Sequence, residues 1–277
     1  MPLRLLTPMN PVRLDTYRKE CARTAGVSAD SVPEEQVAAL YVWQTALGAA
    51  WFENLAYTEA ILRHSADTAL RSWNFARSGS EDWLRTPNSR LASLVKKSAK
   101  DAERQADTAK KRRAPDHPRK NSPVGLDDLI AQLSFGSISF LMPADPPTNR
   151  QSLRSGYTQR ENLWKTGLLG AFPRLTEEAA KRWVVNLPAD VPPDVVAGYA
   201  VGQALGRLLR LRNRIGHHEQ ILTVNHSRLR KDMTVLLRAV SPAASDALKR
   251  IDRVPRILAM KPISWTPVHV TNESVLS

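Results

Sequence analysis

The chain has 277 residues, 42% of them apolar, and carries 40 Lys and Arg against 27 Asp and Glu for a formal charge of +13. This is enough apolar material for a sizeable core in one large domain or two small ones, and the basic balance points to a polyanionic partner, because basic groups gain by releasing counterions from phosphates. The one cysteine, Cys21, excludes an internal disulfide framework and a multi-thiolate zinc site, and fits a reducing cytoplasm; no signal-peptide core or run of 18 apolar residues stands in the sequence.

In chain order, residues 1–33 read as an N-terminal extension. Ser31 or Pro33 can start a helix, Glu34 and Glu35 favour its first turn, and apolar residues recur at three-to-four spacing from 34 to 76, interrupted by Gly48. That span predicts one long helix or two in close succession. Residues 91–111 are charged and helix-compatible with little apolar face, and PDHPRKNSP then breaks the chain. LDDLIAQLSFGSISFLM (126–142) predicts a short apolar helix, and PADPPTNRQ a surface loop. ENLWKTGLLGAF (161–172), LTEEAAKRWVVNL (175–187) and the run from Asp194 to Leu222 give three more helices. DMTVLLRAVS and SDALKRIDRVPRIL supply the last two. Strand alternation and internal repeats are absent, so the expected fold is an all-α bundle, one domain over 34–262 with a basic insertion at about 90–123 and a tail at 263–277.

The positive charge is uneven. Between Arg90 and Lys120 stand eleven Lys and Arg against four Asp and Glu, a net +7 of the +13. Lys96, Lys97, Lys100, Arg104, Lys110, Lys111, Arg112 and Arg113 are therefore candidates for an RNA-backbone arm, which needs no base readout because phosphate contacts position rather than specify. The competing reading is a solvated linker, as charge runs commonly are. Trp83 is the one aromatic nearby, so stacking support is thin. Trp43, Trp51, Trp73, Trp164 and Trp183 recur in apolar helices and read as core.

One stretch, LRLRNRIGHHEQIL (209–222), interrupts an apolar helix with polar residues. Val201, Leu205, Leu208 and Ile215 form a helical stripe, and Arg212 falls on it, where a charge near a core requires a partner. On an ideal helix His217 lies roughly 140° from Arg212 and His218 roughly 120° away on the other side. One straight helix cannot aim Arg212 and His217 at the same atom, so either the backbone deforms at Gly216 or the pair meets across a two-fold dimer. A metal site from His217, His218, Glu219 and His226 is disfavoured, because neighbouring histidines point to different faces. Neither metal nor cofactor is expected.

The string Arg212-Asn213-Arg214-Ile215-Gly216-His217-His218-Glu219 resembles the RNxxxH signature of HEPN domains, and more narrowly that of Abi-like (abortive infection) bacterial proteins. TEAILRH (58–64), LSFGSISFLM (133–142), GAFP (170–173) and VPRILAMKP (254–262) resemble further landmarks of that family, in family order. His64 replaces its usual asparagine, Ile138 an aromatic and Gly216 an alanine. The resemblance implies a HEPN-like helical bundle with additional helices. It also implies a homodimer that faces two such motifs, and metal-independent RNA cleavage.

Residue chemistry is compatible with that implication. RNA supplies its own nucleophile, the 2′-hydroxyl, leaving the protein to move protons and stabilise charge on phosphate. His217 suits proton transfer, typically worth about 10²–10⁴-fold, and Arg212 clamps non-bridging oxygens. Asn213 would orient phosphate or imidazole, with His218 in support. Glu219, His64 and the i,i+4 pair Glu59–Arg63 are supporting candidates, the last favoured as a helix-surface ion pair. Two functions stay open: an RNA-cleaving effector in an abortive-infection or toxin–antitoxin system, or a non-catalytic HEPN-type RNA-binding scaffold. The expected partners are RNA as substrate, a restraining partner that is either a small structured RNA or a protein, with the basic balance favouring RNA, and a second copy of the chain, with no membrane.

Overall fold

A computed structural model describes residues 9–153 and 155–262; the expected tail at 263–277 lies outside them. The described residues form α-helices joined by turns and short 3-10 segments, with no strand among them. The helices are α1 (Pro11–Ala25), α2 (Glu34–Ser78), α3 (Ser89–Lys111), α4 (Leu126–Gln132), α5 (Phe135–Leu141), α6 (Gln159–Thr166), α7 (Glu177–Trp183), α8 (Val196–Gly216), α9 (His226–Val240), α10 (Pro242–Ile251) and α11 (Val254–Ala259). The chain divides into two compact units. The first takes the described parts of 1–54, 214–224 and 252–277, and the second takes 55–213 and 225–251.

In the first unit, the residues expected to be an extension hold α1. Asn10 Oδ1 accepts from the Val12 N–H at 3.0 Å, Pro11 fits the first helical position, and Gly26 at φ 69° ends the helix. Leu14, Tyr17 and Cys21 are buried by it. Long-range hydrogen bonds tie the unit together: Trp43 Nε1 donates to Ile257 O at 2.6 Å, and Gln36 Nε2 to Pro262 O at 2.9 Å. Lys261 reaches Glu20 at 2.8 Å. The hydrogen bond from Arg23 outweighs burial and, with Lys261, holds the Glu20 carboxyl down at about 2.

In the second unit, glycines let α8 approach its neighbours. A Cβ at Gly202 would stand 2.0 Å from Pro143 O, and one at Gly198 would stand 2.8 Å from both Pro143 and Trp164. Buried charges are paired here. Glu161, fully buried, accepts from Arg150 at 2.7 Å, Tyr199 Oη at 2.7 Å and the Thr158 N–H at 2.6 Å. Burial alone would raise its pKa, but these donors outweigh burial and hold it below the usual carboxylate range. Asp232, likewise fully buried, accepts from Arg207 at 2.6 Å, Trp183 Nε1 at 2.8 Å and Arg228 at 3.2 Å. The five tryptophans read as core are all buried, as are Trp83 and the two FG and FP phenylalanines, Phe135 and Phe172.

Several predicted elements change bounds. The first long span is one helix, α2. The stretch 126–142 is two, broken at Leu133 and Ser134; Ser134 Oγ then caps α5 by accepting from the Ser137 N–H at 3.2 Å. The span 161–172 is helical only to Thr166 and finishes as a 3-10 turn, Leu168–Ala171. The last stretch splits into α10 and α11 at Asp252 and Arg253, and Pro255 falls in the first turn of α11, where its missing N–H leaves no helix bond unmade.

Candidate active site

Helix α8 stops at Gly216 instead of running on to Leu222. Its end follows from three backbone features. The Glu219 N–H bonds to Arg214 O at 2.7 Å, the His218 N–H bonds to Ile215 O at 3.0 Å, and His218 is left-handed at φ 54°. Together they make a Schellman cap in which histidine occupies the place usually held by glycine. The deformation expected at Gly216 therefore falls two residues later. A left-handed histidine is strained, though histidine is among the residues enriched there. Arg13, on α1, donates to His218 O at 2.8 Å and to His217 O at 3.5 Å, tying off two carbonyls that the helix end leaves free. Sequence reasoning missed Arg13, since no local pattern ties residues some 200 positions apart.

The expected buried Arg212 is not buried. The apolar stripe steps from Leu208 to Leu211, three residues on, and not to Arg212, four residues on; Leu211 is 2% exposed and Arg212 points to solvent. Both spacings are neighbours on a helix, and the chain uses the leucine. Asn213, His217, His218 and Glu219 are exposed as well. Arg212 has no ion-pair or hydrogen-bond partner among the described residues, so the partner sought in Glu59 and Arg63 is neither found nor required. Glu219 pairs with Arg214 at 3.5 Å. Glu59 and Arg63 form the expected i,i+4 ion pair, half-buried on α2. His64 is exposed and lines a separate open cavity of about 780 Å³ with Trp73 and Arg77.

No family model, curated protein or solved structure matches the chain.

The basic segment is ordered from Ser89 to Lys111 as α3, which buries Leu91, Val95, Ala102 and Ala106 along one narrow stripe. Lys96, Lys97, Lys100, Lys111 and Arg112 are exposed, and neither they nor the half-exposed Lys110 form an ion pair among the described residues. Arg104 is exposed with a 3.4 Å pair to Asp101. Arg113 departs from the expected arm: it is largely buried and bonded to Asp128 at 2.9 Å, alongside Arg119 at 2.7 Å. It staples the following loop to α4 and is not available to phosphate. Among the described residues no three His, Cys, Asp or Glu side chains gather as a metal cluster, and no helix is long and apolar enough to cross a membrane.

Proposed function

We propose that the chain is a HEPN-type, metal-independent endoribonuclease and the RNA-cleaving effector of an abortive-infection or toxin–antitoxin type defence system. The observation that carries this reading is the exposed histidine pair at the α8 end, with His218 in a strained left-handed conformation inside the RNxxxH string. Strain of that kind collects at functional sites, and exposed Arg212, Asn213 and His217 are open to an incoming phosphate. The 2′-hydroxyl attacks the adjacent phosphorus and the 5′-oxygen leaves, giving a 2′,3′-cyclic phosphate and a 5′-hydroxyl. His217 transfers the proton and Arg212 neutralises the charge that develops on the non-bridging oxygens. The fold would be a HEPN-like bundle, and a second copy would bring the matching motif.

A specific feature favours a second reading, RNA binding without cleavage: the unpaired lysines of α3 form an exposed basic face that needs no chemistry to hold RNA. One experiment separates the two. Wild type, His217→Ala and Arg212→Ala are expressed in parallel, and co-purifying RNA is sequenced with its cleaved ends mapped. The ribonuclease reading expects cyclic-phosphate ends in EDTA from wild type, reduced by about 10²–10⁴-fold in His217→Ala. RNA bound but uncut by wild type sinks it and supports the scaffold.

A further inference from the structure

Beside the α8 end lies a cavity of about 510 Å³ in the first unit. One wall is a single face of α2, on which Tyr41, Thr45, Gly48 and Phe52 recur at helical spacing; the other includes Gly216 and His218, the residues flanking His217. Gly48 is the informative residue. It stands inside a 45-residue helix, where glycine is unfavourable, yet an added Cβ would meet nothing within 4 Å. Packing explains Gly198 and Gly202 on α8; it does not explain Gly48. Glycine also serves where a backbone must admit a ligand closely.

The lining indicates the ligand class. It contains two carboxylates, Glu53 and Glu219, and no Lys or Arg, so a phosphate is disfavoured inside. Arg253 engages Glu53 at 3.0 and 2.5 Å and Arg214 engages Glu219 at 3.5 Å, which leaves each carboxylate further acceptor sites for N–H donors. Phe52 is 56% exposed, and the Tyr41 ring is braced edge-on by buried Tyr17 at 5.3 Å. Aromatic faces with hydrogen-bonding edges are how proteins hold the splayed bases of single-stranded RNA. We propose that this cavity receives a nucleobase carrying amino or imino N–H donors, next to the phosphate that His217 handles. The assignment rests on the ribonuclease reading for its register along the RNA.

The test uses full-length wild type and Gly48→Leu on an oligoribonucleotide pool randomised at every position, with cut ends sequenced. An added Cβ at 48 meets nothing within 4 Å, and leucine takes up part of the cavity that Gly48 lines; the melting temperature is measured in parallel to confirm that the variant folds. Wild type should enrich one base or base class at a fixed distance from the cut. Gly48→Leu should erase that preference and slow cleavage of the preferred sequences by about 5–150-fold, the range that losing one base stack spans. Unchanged preference and rate in Gly48→Leu overturn the proposal while leaving the nuclease intact. If wild type cuts nothing, the nuclease reading has failed, and crosslinking of thiobase-substituted single-stranded RNA decides the cavity by itself. Crosslinks mapped to Tyr41 or Phe52 uphold a base site; their absence there overturns it.

Discussion

Replacing Gly202 by alanine sets two contributions of opposite sign against each other. Helix propensity favours alanine by about 1 kcal/mol. Against it, the new Cβ would stand 2.0 Å from Pro143 O, 2.8 Å from the Pro143 carbonyl carbon and 3.3 Å from Ala144 Cα. All three are backbone atoms, so no rotamer relieves the clash, and α8 must move away by roughly 1.5 Å, since non-bonded heavy atoms settle near 3.5 Å. Overpacking of this kind costs about 1–3 kcal/mol, and Gly198, which would meet Pro143 and Trp164 at 2.8 Å, holds the same seam tight, so the upper figure applies. The net loss is about 2 kcal/mol, or roughly 4–8 °C in Tm for a unit of this size. Gly206→Ala is the control: its nearest neighbour is the flexible Arg210 Nη1 at 3.7 Å, so it should gain about 0.5–1 kcal/mol. Urea unfolding followed by circular dichroism measures both. Gly202→Ala as stable as wild type would refute the close approach of α8 to Pro143.

His218→Gly should raise stability by up to about 1 kcal/mol in the same assay, since glycine takes the left-handed conformation freely, whereas His218→Ala should lower it. For Glu20 the folded pKa is depressed from 4.5 to about 2, so its contribution is full above the unfolded value and is lost as pH falls toward the folded one. Glu20→Gln should therefore flatten stability between about pH 5 and 2 by on the order of 1–3 kcal/mol, allowing for the largely exposed Arg23 partner, as chemical unfolding at stepped pH would report. A triple Lys96→Glu, Lys97→Glu, Lys100→Glu variant should weaken RNA binding and reduce the log–log salt slope by about 0.7 for each single-strand phosphate contact removed, read by filter binding from 50 to 200 mM salt. An unchanged slope would take α3 out of RNA binding.

The helical character of the chain was legible because periodicity is a local property. The 34–76 repeat, with its acidic first turn, is α2 almost to the residue. Helix α1 leaves a weak periodic signal although Asn10-Pro11 and Gly26 mark its ends, since its interior is largely polar. The Arg212 misplacement is subtler. Three- and four-residue steps both stay on one helix face, and only the packing of neighbouring elements selects Leu211 over Arg212 for burial. Nor does any local signal say that Arg113 turns inward to Asp128 while its neighbours stay in solvent, or that Gly202 faces a carbonyl. These are contacts across tens of residues, and composition carries no record of them. The left-handed residue shows the same limit: a glycine two places earlier was the natural candidate, yet the cap bonds place the turn on His218.

Exposure of Arg212, Asn213 and His217 sets the energetics of the site. Buried, Arg212 would have required a partner to offset desolvation, and that partner would compete with phosphate. Exposed, it carries no such penalty and keeps all its donors free, but its attraction for a phosphate is screened by water. Electrostatic stabilisation of a transition state reaches its full strength only where water is excluded. A catalytic site built from Arg212 and His217 must therefore be covered by something besides the single chain, either the RNA laid over it or a second copy facing it. On the proposed ribonuclease reading, such a site would be weak alone and strong when covered, and its output would follow assembly.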